Sequence, residues 1–122
     1  MSAGAKLLIV DDDPRILSAL RRALRREPYE IFTAESTSEA IRVLETEPID
    51  LVLSDHMMPG TTGVQLLEQA AALRPSAARL LITGWGESVD PSAIERLDIR
   101  AVIDKPWDDN ALKDVLERAC KG

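Results

Sequence analysis

The sequence contains very few of the residues that build disulfide frameworks, zinc clusters or stacking surfaces. Its 122 residues include one cysteine, one histidine and 3% aromatic side chains. A single cysteine, Cys120, cannot form an internal disulfide, which fits a reducing compartment. One histidine argues against a histidine-based triad or a zinc cluster, and the scarce aromatics leave little for stacking on bases or sugars. Whatever chemistry the chain performs must therefore rest on other side chains.

Long apolar runs and an excess of positive charge are also missing. No run approaches the ~20 apolar residues that span a bilayer, and residues 1–6 lack the apolar stretch of a signal peptide. Fifteen basic residues stand against 21 acidic ones, for a net charge of −6. This balance argues against direct binding of nucleic acid or of an anionic membrane. We therefore expect a cytoplasmic protein, and at this length residues 1–122 are expected to form one domain.

Short apolar runs alternate with amphipathic segments along the whole chain. The runs are rich in β-branched residues and lack strict alternation, which is typical of strands buried on both faces. The segments between them carry the 3.6-residue apolar period of helices. This alternation predicts an α/β fold in three layers, with a five-stranded parallel sheet and five helices. The expected strands are 6–10, 29–34, 49–54, 79–83 and 99–103.

Capping signals predict where the five helices begin. Serine, threonine and aspartate accept hydrogen bonds from the free N–H groups of a first helical turn, and proline suits the first helical position. A glutamate or glutamine three residues after the cap completes a capping box. The predicted starts are Asp12 or Asp13 before Pro14, Ser36 with Glu39, Thr62 with Gln65, Asp90 with Pro91, and Asp108.

Acidic, hydroxyl and ammonium side chains end or follow four of the expected strands. Parallel strands bring their carboxyl ends to one edge of the sheet, where ligands of such folds bind. Asp11 and Asp12 follow the first strand and Asp55 the third. Three clustered carboxylates repel one another unless a cation neutralises them, and oxygen ligands favour Mg²⁺. With Thr83 ending the fourth strand and Lys105 following the fifth, the site suits an incoming phosphoryl group that a carboxylate attacks.

Taken singly, each of these residues has an ordinary structural explanation. Acids favour helix N-termini, aspartate is common in turns, and most lysines are solvated. The functional interpretation therefore depends on all of them converging.

The motifs at these strand ends resemble the receiver domain of two-component response regulators. The resemblance covers essentially the whole chain, and the motifs are specific because all four occur in order. It implies a flavodoxin-like fold with strand order 2-1-3-4-5, and a signalling switch rather than an enzyme. The motifs are Val10-Asp11-Asp12-Asp13-Pro14, Asp55-His56-Met57-Met58-Pro59-Gly60 with Gly63, Leu81-Ile82-Thr83-Gly84, and Lys105-Pro106.

The resemblance also implies a Mg²⁺ site and its ligands. Asp12 would bind the metal directly, with Asp11 assisting. Asp55 and the backbone carbonyl of Met57 would complete the protein ligands.

The same resemblance assigns the phosphoryl chemistry. Asp55 would accept a phosphoryl group from a sensor histidine kinase or a histidine phosphotransfer protein. Lys105 would pair with the phosphoryl oxygens, Thr83 would hydrogen-bond one of them, and a cis bond before Pro106 would aim the lysine. The switch would control an output partner or domain that the sequence does not identify.

The sequence departs from the family pattern at Val102. Many receivers carry tyrosine or phenylalanine three residues before the lysine of the last strand, and the turning of that ring is part of their switch. Two alternatives follow: Val102 shifts less than the usual ring, or Trp85 substitutes as the moving group. We expect His56 to be exposed or packed in its loop rather than to accept phosphate, and Cys120 to be inert.

Two other classes of protein remain open. An aspartate-dependent phosphatase of the haloacid-dehalogenase type needs a second aspartate two residues after its nucleophile, where Asp55 has Met57. Asp11 and Asp13 have that spacing, but Pro14 and the lack of a cap domain give poor support. A flavodoxin-like binding module would retain a flavin, yet no Ser/Thr-rich phosphate loop follows the first strand.

The domain organisation is expected to be simple. No output domain is visible after the receiver motifs, so the protein is either a stand-alone receiver or one domain of a longer regulator.

Overall fold

A computed structural model describes residues 4–84 and 87–121. Strands and helices alternate as expected, and each lies within a few residues of its predicted position. The strands are β1 (Ala5–Val10), β2 (Tyr29–Ala34), β3 (Leu51–Asp55), β4 (Ala78–Thr83) and β5 (Ile99–Asp104). The helices are α1 (Pro14–Leu24), α2 (Thr37–Thr46), α3 (Gly63–Leu73), α4 (Pro91–Arg96) and α5 (Asp109–Lys121).

The five strands form one parallel sheet in the order β2-β1-β3-β4-β5. This confirms both the fold class and the 2-1-3-4-5 order. From β1 the chain adds β2 on one side and then β3, β4 and β5 on the other. The topological switch point therefore lies between β1 and β3, where their carboxyl ends meet. Val10 is paired with Ser54, and Asp55 with Ile82, which places Asp11 and Asp55 beside one another at this edge.

Helices cover both faces of the sheet and create two separate apolar cores. One core lies under α2, α3 and α4 and includes Leu44, Leu66 and Leu81. The other lies under α1 and α5 and includes Leu20 and Leu116. The central strands β1 and β3 contribute alternate residues to the two cores, which explains why their sequences are apolar without a polar face.

The helix starts follow the predicted caps, and the one difference is the capping box of α2. Asp13, rather than Asp12, caps α1 by accepting from the Arg15 N–H, and Thr62 and Gln65 of α3 form a complete capping box. At α2, Ser36 accepts from the Glu39 N–H, but the Glu39 carboxylate accepts from the Glu35 N–H at 3.4 Å. The box at α2 is therefore only half formed.

The remaining two caps also lie where the sequence places them. The Asp90 carboxylate accepts from the Ser92 N–H at the start of α4, and Leu97 caps the other end of that helix. The Asp108 carboxylate accepts from the Ala111 N–H at 2.8 Å at the start of α5.

A short hairpin between β3 and α3 was not predicted from the sequence. Residues 57–58 pair with residues 61–62 in antiparallel fashion. Gly60 in its turn has a φ of +76°, a conformation that suits glycine after a proline at the preceding position. Gly63 lies so close to β3 that an added Cβ would stand 2.5 Å from the Asp55 carbonyl oxygen. The hairpin thus returns the chain tightly beneath the end of β3.

The α4 side of β5 is the least covered part of the sheet. α4 has six residues, of which only Ala93 is fully buried. Arg100, Val102 and Asp104 of β5 are exposed, and Val102 is 38% accessible. None of the described helices is both long enough and apolar enough to cross a bilayer.

Candidate functional site

The candidate site is built at the carboxyl edge of the sheet. Asp11 follows β1, Asp55 is the last residue of β3, Thr83 is the last residue of β4, and Lys105 follows β5. The strand pairing brings these residues together although 94 positions separate Asp11 from Lys105. A backbone hydrogen bond joins the ends of β4 and β5 at this edge, because the Lys105 N–H donates to the Thr83 carbonyl at 2.7 Å.

Three carboxylates form a compact cluster at this edge. Carboxylate oxygens of Asp11, Asp12 and Asp55 all lie within 4.8 Å of one another. Asp11 and Asp55 are buried, whereas Asp12 is exposed. Asp11 is oriented by the Asp13 N–H, which donates to its Oδ1 at 2.9 Å. The cluster is therefore rigid at its base and open to solvent through Asp12.

Lys105 provides the positive charge that faces the cluster. Its Nζ lies 3.2 Å from Asp11 Oδ2 and 3.1 Å from Asp55 Oδ1, so that it donates to both carboxylates. The following Lys105–Pro106 bond is cis, as the resemblance implied. One ammonium group cannot balance three carboxylates, and the site retains an excess of negative charge.

The excess charge changes the acid–base behaviour of the site. Burial is the main cause that raises the pKa of Asp55, and the charges of Asp11 and Glu87 raise it further against the opposing hydrogen bond from Lys105. Burial alone would lower the pKa of Lys105, but its bond to Asp55 and the charge of Asp11 leave that pKa above its usual value. The lysine is therefore held in its charged form, while the ionised form of Asp55 is destabilised until further positive charge arrives.

The comparison with known families identifies this arrangement. The model of the response regulator receiver domain matches residues 7–117. The chain belongs to the response regulator receiver family.

Several relatives of this receiver domain have been characterised. The transcriptional regulatory protein GlrR of Escherichia coli is 36% identical over 94% of the chain, and HoxA of Cupriavidus necator is likewise 36% identical over 94%. The chain spans about a quarter of the length of these regulators (26% and 24%). It spans 91% of the sporulation initiation phosphotransferase F of Bacillus subtilis, which is 27% identical.

Solved structures show the same fold. A CheY-like response regulator receiver domain protein from Methanospirillum hungatei superposes with a TM-score of 0.89 and is 29% identical, covering 98% of this chain and 95% of that chain. The receiver domain of an HD domain-containing protein from Pseudomonas fluorescens has a TM-score of 0.87 and 30% identity, with 97% and 95% coverage.

The acidic cluster suits the metal that this family uses. Receiver domains generally bind Mg²⁺ at an acidic pocket, and the three clustered aspartates form such a pocket here. The ligand atoms are hard carboxylate oxygens, one of them solvent-accessible, which matches the preference of Mg²⁺ for carboxylates and retained water. The donor set therefore fits the metal.

The structure locates the other two residues implied by the resemblance near the cluster. Thr83 is buried, and its hydroxyl contacts Asp104 Oδ1 at 3.4 Å, which is a long and weak hydrogen bond. Met57 lies two residues after Asp55 in the hairpin, where it pairs with Thr62, and its side chain is 52% exposed.

Two residues beside the site were missed by sequence reasoning or only partly anticipated. Of the two expected positions, His56 has the packed one. Its Nε2 lies 3.2 Å from the Ser88 carbonyl, and its buried Nδ1 has no hydrogen-bond partner among the described residues. Glu87 was not singled out, yet its charge acts on Asp55. Both involve a segment between β4 and α4 that has no periodicity or motif to draw attention to it.

Trp107 and Cys120 near the carboxyl-terminal helix have simple positions. Trp107 packs against the core under α5 and donates from its indole N–H to Asp109 Oδ1 at 3.0 Å. Burial raises the pKa of the Cys120 thiol, which keeps it protonated and weakly nucleophilic. Trp85, the hypothetical moving group, lies outside the described residues.

Proposed function

We propose that this receiver domain is a phosphoacceptor switch in which Asp55 takes a phosphoryl group and the resulting charge alters the segments around the site. The observation that carries the proposal is the buried Asp55 carboxylate held 3.1 Å from Lys105 Nζ within the acidic cluster. An aspartate kept only for structure would not need two further carboxylates beside it. Membership of a signalling family, rather than an enzyme family, supports the same conclusion.

Asp55 is the proposed nucleophile. A carboxylate oxygen of Asp55 forms a bond to phosphorus as the bond between phosphorus and the donor atom breaks on the opposite side. With acetyl phosphate as donor, acetate leaves with the bonding electron pair. With a phosphohistidine donor, the imidazole nitrogen leaves. Because the nucleophile starts as an anion, no proton has to be removed from it.

The neighbouring residues position and stabilise the transferred group. Lys105, already within hydrogen-bond reach of Asp55, follows the charge as it moves onto the phosphoryl oxygens. Thr83 exchanges its weak bond to Asp104 for a phosphoryl oxygen. Asp11, Asp12, Asp55 and the Met57 carbonyl are the proposed ligands of Mg²⁺. When bound, the metal would neutralise phosphoryl charge and help to orient the group for in-line transfer.

The partners follow from this chemistry. The phosphoryl donor is a sensor histidine kinase or a histidine phosphotransfer protein, and a small acyl phosphate can replace it in vitro. Phosphorylation adds about one negative charge to Asp55. That charge biases Thr83, Lys105 and the loops they hold, and an output domain or protein detects the change. The similar protein GlrR is a transcriptional regulatory protein, which supports an output of that kind.

Intact mass spectrometry tests the proposal directly. The protein is incubated with Mg²⁺ and acetyl phosphate, and the wild type is expected to gain the mass of one phosphoryl group. Asp55→Asn keeps the shape of the side chain but removes the nucleophile, so it should gain none. Asp114→Asn, which changes an exposed aspartate of α5, is the matched control and should be modified like the wild type. A wild type that gains no mass, or equal modification of Asp55→Asn, would refute the proposal.

A further inference from the structure

Glu87 lies beside the proposed acceptor in an unusual electrostatic position. Its N–H donates to the Gly84 carbonyl at 3.2 Å. Its Oε2 lies 2.9 Å from the point that a Cβ on Gly84 would occupy. The carboxylate therefore folds back over Gly84, in space that any larger residue at position 84 would fill.

One oxygen of the Glu87 carboxylate has no partner in this position. Its Oε1 is fully buried without a hydrogen bond, and no lysine or arginine among the described residues forms an ion pair with it. A buried carboxylate oxygen without a hydrogen bond is unfavourable. Glu87 also adds to the negative field at Asp55. The group thus lies in a position where it is poorly satisfied even before phosphorylation.

The segment that carries Glu87 is tied down by a contact from the acceptor strand. His56 follows Asp55 directly, and its Nε2 lies 3.2 Å from the Ser88 carbonyl. Asp90, two residues after Ser88, caps the short helix α4. A displacement of Glu87 is therefore transmitted to the start of α4, whose only fully buried residue is Ala93.

We propose that Glu87 sets the rate and the mechanical consequence of phosphorylation: its carboxylate opposes the anionic donor at rest and is driven away from Gly84 once Asp55 carries the phosphoryl group. The inference rests on the proposed function. With Asp11, Asp12, Asp55 and Glu87 against Lys105 and one Mg²⁺, the site is already one charge negative, and the phosphoryl group makes it more so. Glu87 is the member of this set that neither binds Lys105 nor lies in the three-aspartate cluster, so it is the one free to leave.

This role complements the replacement of the usual aromatic residue by Val102. Val102 is exposed on β5 and has no ring to turn inward. Repulsion of Glu87 supplies a driving force that needs no such ring. Glu87 is a positioning residue in this scheme, because it forms no bond to the reacting atoms.

The experiment compares Glu87→Gln with Glu95→Gln. Both changes remove one negative charge and keep the length of the side chain, but Glu95 is exposed on α4. Phosphorylation by acetyl phosphate is followed by intact mass at saturating Mg²⁺, at low salt and at high salt. Mg²⁺ affinity is measured separately by calorimetry. Amide exchange at Glu87 is compared before and after phosphorylation.

The two charge-dependent properties should move in opposite directions. Glu87→Gln should accelerate phosphorylation by roughly threefold to tenfold at low salt, with a smaller gain at high salt. The same variant should weaken Mg²⁺ binding by roughly twofold to fivefold, because an attractive charge is lost. Glu95→Gln should change neither by more than about twofold. In the wild type, phosphorylation should accelerate exchange of the Glu87 amide, and the acceleration should be smaller in Glu87→Gln.

Each alternative result overturns the inference in a recognisable way. If the wild type is phosphorylated and Glu87→Gln matches it in rate and Mg²⁺ affinity, the proposed function stands and the role of Glu87 is refuted. If both the rate and the affinity fall, Glu87 is only structural. If the wild type takes no phosphoryl group, the proposed function and the inference fail together.

Discussion

The two ends of the parallel sheet are finished in opposite ways. At the amino end, long basic side chains are matched to acceptors. Arg79 donates to the carbonyls of Leu97, Ala77 and Pro75 at 2.6, 3.0 and 3.3 Å. Lys6 has ion pairs at 3.0 and 3.6 Å with acids of neighbouring segments. At this end of the sheet, these basic side chains are paired with carbonyl or carboxylate oxygens.

At the carboxyl end, the charges are left unbalanced. Lys105 serves two buried carboxylates, Asp12 adds a third, and Glu87 has a buried oxygen without a partner. Folding alone does not favour such an arrangement, since each uncompensated carboxylate opposes burial. The charges are therefore paired at the amino end of the sheet, and the unbalanced charges that suit chemistry lie at the carboxyl end.

The largest expected effect comes from the packing beneath the site. Gly63→Ala should destabilise the protein by about 3 kcal/mol, because its Cβ would overlap the Asp55 carbonyl oxygen and a Leu81 methyl group. Chemical denaturation measures the change. Gly60→Ala is the control: its φ of +76° is strained for alanine but nothing lies within 4 Å, so about 1 kcal/mol is expected. Equal losses in the two variants would show that the close approach at Gly63 is unimportant.

The next prediction tests whether the hydrogen bonds of Arg79 stabilise the amino end of the sheet. Arg79→Met keeps much of the side-chain volume but removes every donor to the three carbonyls, and a loss of about 2 kcal/mol is expected. Urea denaturation at neutral pH measures it. Arg22→Met, on the exposed surface of α1, should stay within about 0.5 kcal/mol of the wild type. A negligible loss in Arg79→Met would remove the contrast between the two ends.

Magnesium should stabilise the folded protein through residues at the carboxyl end of the sheet and not through those at the amino end. Saturation of the proposed site at about tenfold its dissociation constant should add about 1.4 kcal/mol to the free energy of unfolding. Asp12→Asn should lose at least half of that gain in thermal melts with and without Mg²⁺. Arg79→Met should melt lower yet keep the whole gain. A Mg²⁺ response that survives in Asp12→Asn would exclude this aspartate as a ligand.

The smallest expected effect concerns Asp55 itself in the absence of metal. The pKa of Asp55 is raised in the folded state, so the folded protein binds this proton more tightly than the unfolded chain does. The stability that Asp55 contributes is therefore fully present below its unfolded pKa and is lost as the pH rises through its folded pKa. Asp55→Asn should therefore melt about 2–4 °C above the wild type near neutral pH. The difference should shrink as the pH is lowered.

The control for this pH series is Asp114→Asn, which should show no such trend. If Asp55→Asn melts lower than the wild type at neutral pH, the bond from Lys105 outweighs burial and the electrostatic description of the site is wrong.

Most of the fold and much of the candidate site could be predicted from the sequence. Apolar runs give the buried strands, and in a parallel sheet the residues after those runs must meet at one edge. This geometry explains why Asp11, Asp55 and Lys105 could be grouped despite their separation in the sequence. The third strand was predicted at 49–54 but begins at Leu51, because Asp50 accepts from the Lys6 N–H through its side chain.

The parts that could not be predicted depend on contacts between loops. The short hairpin follows from the return of the chain over β3, and the bond from His56 to Ser88 joins residues 32 positions apart. Glu87 lies in a segment without periodicity, and its position over Gly84 is visible only in three dimensions. The half-formed box at α2 shows the same limit, since the spacing of Ser36 and Glu39 permits a bond that Glu39 makes instead to Glu35.

The weak attachment of α4 has a consequence for how much work the domain must do. A helix of six residues in which Ala93 is buried and Ile94 packs partly against the core has little apolar contact to lose on separation. The rest of the sheet would keep its two cores if the proposed switch displaced that helix. A modest electrostatic input can therefore produce a large local rearrangement while the scaffold that aligns the acceptor stays intact for the next cycle.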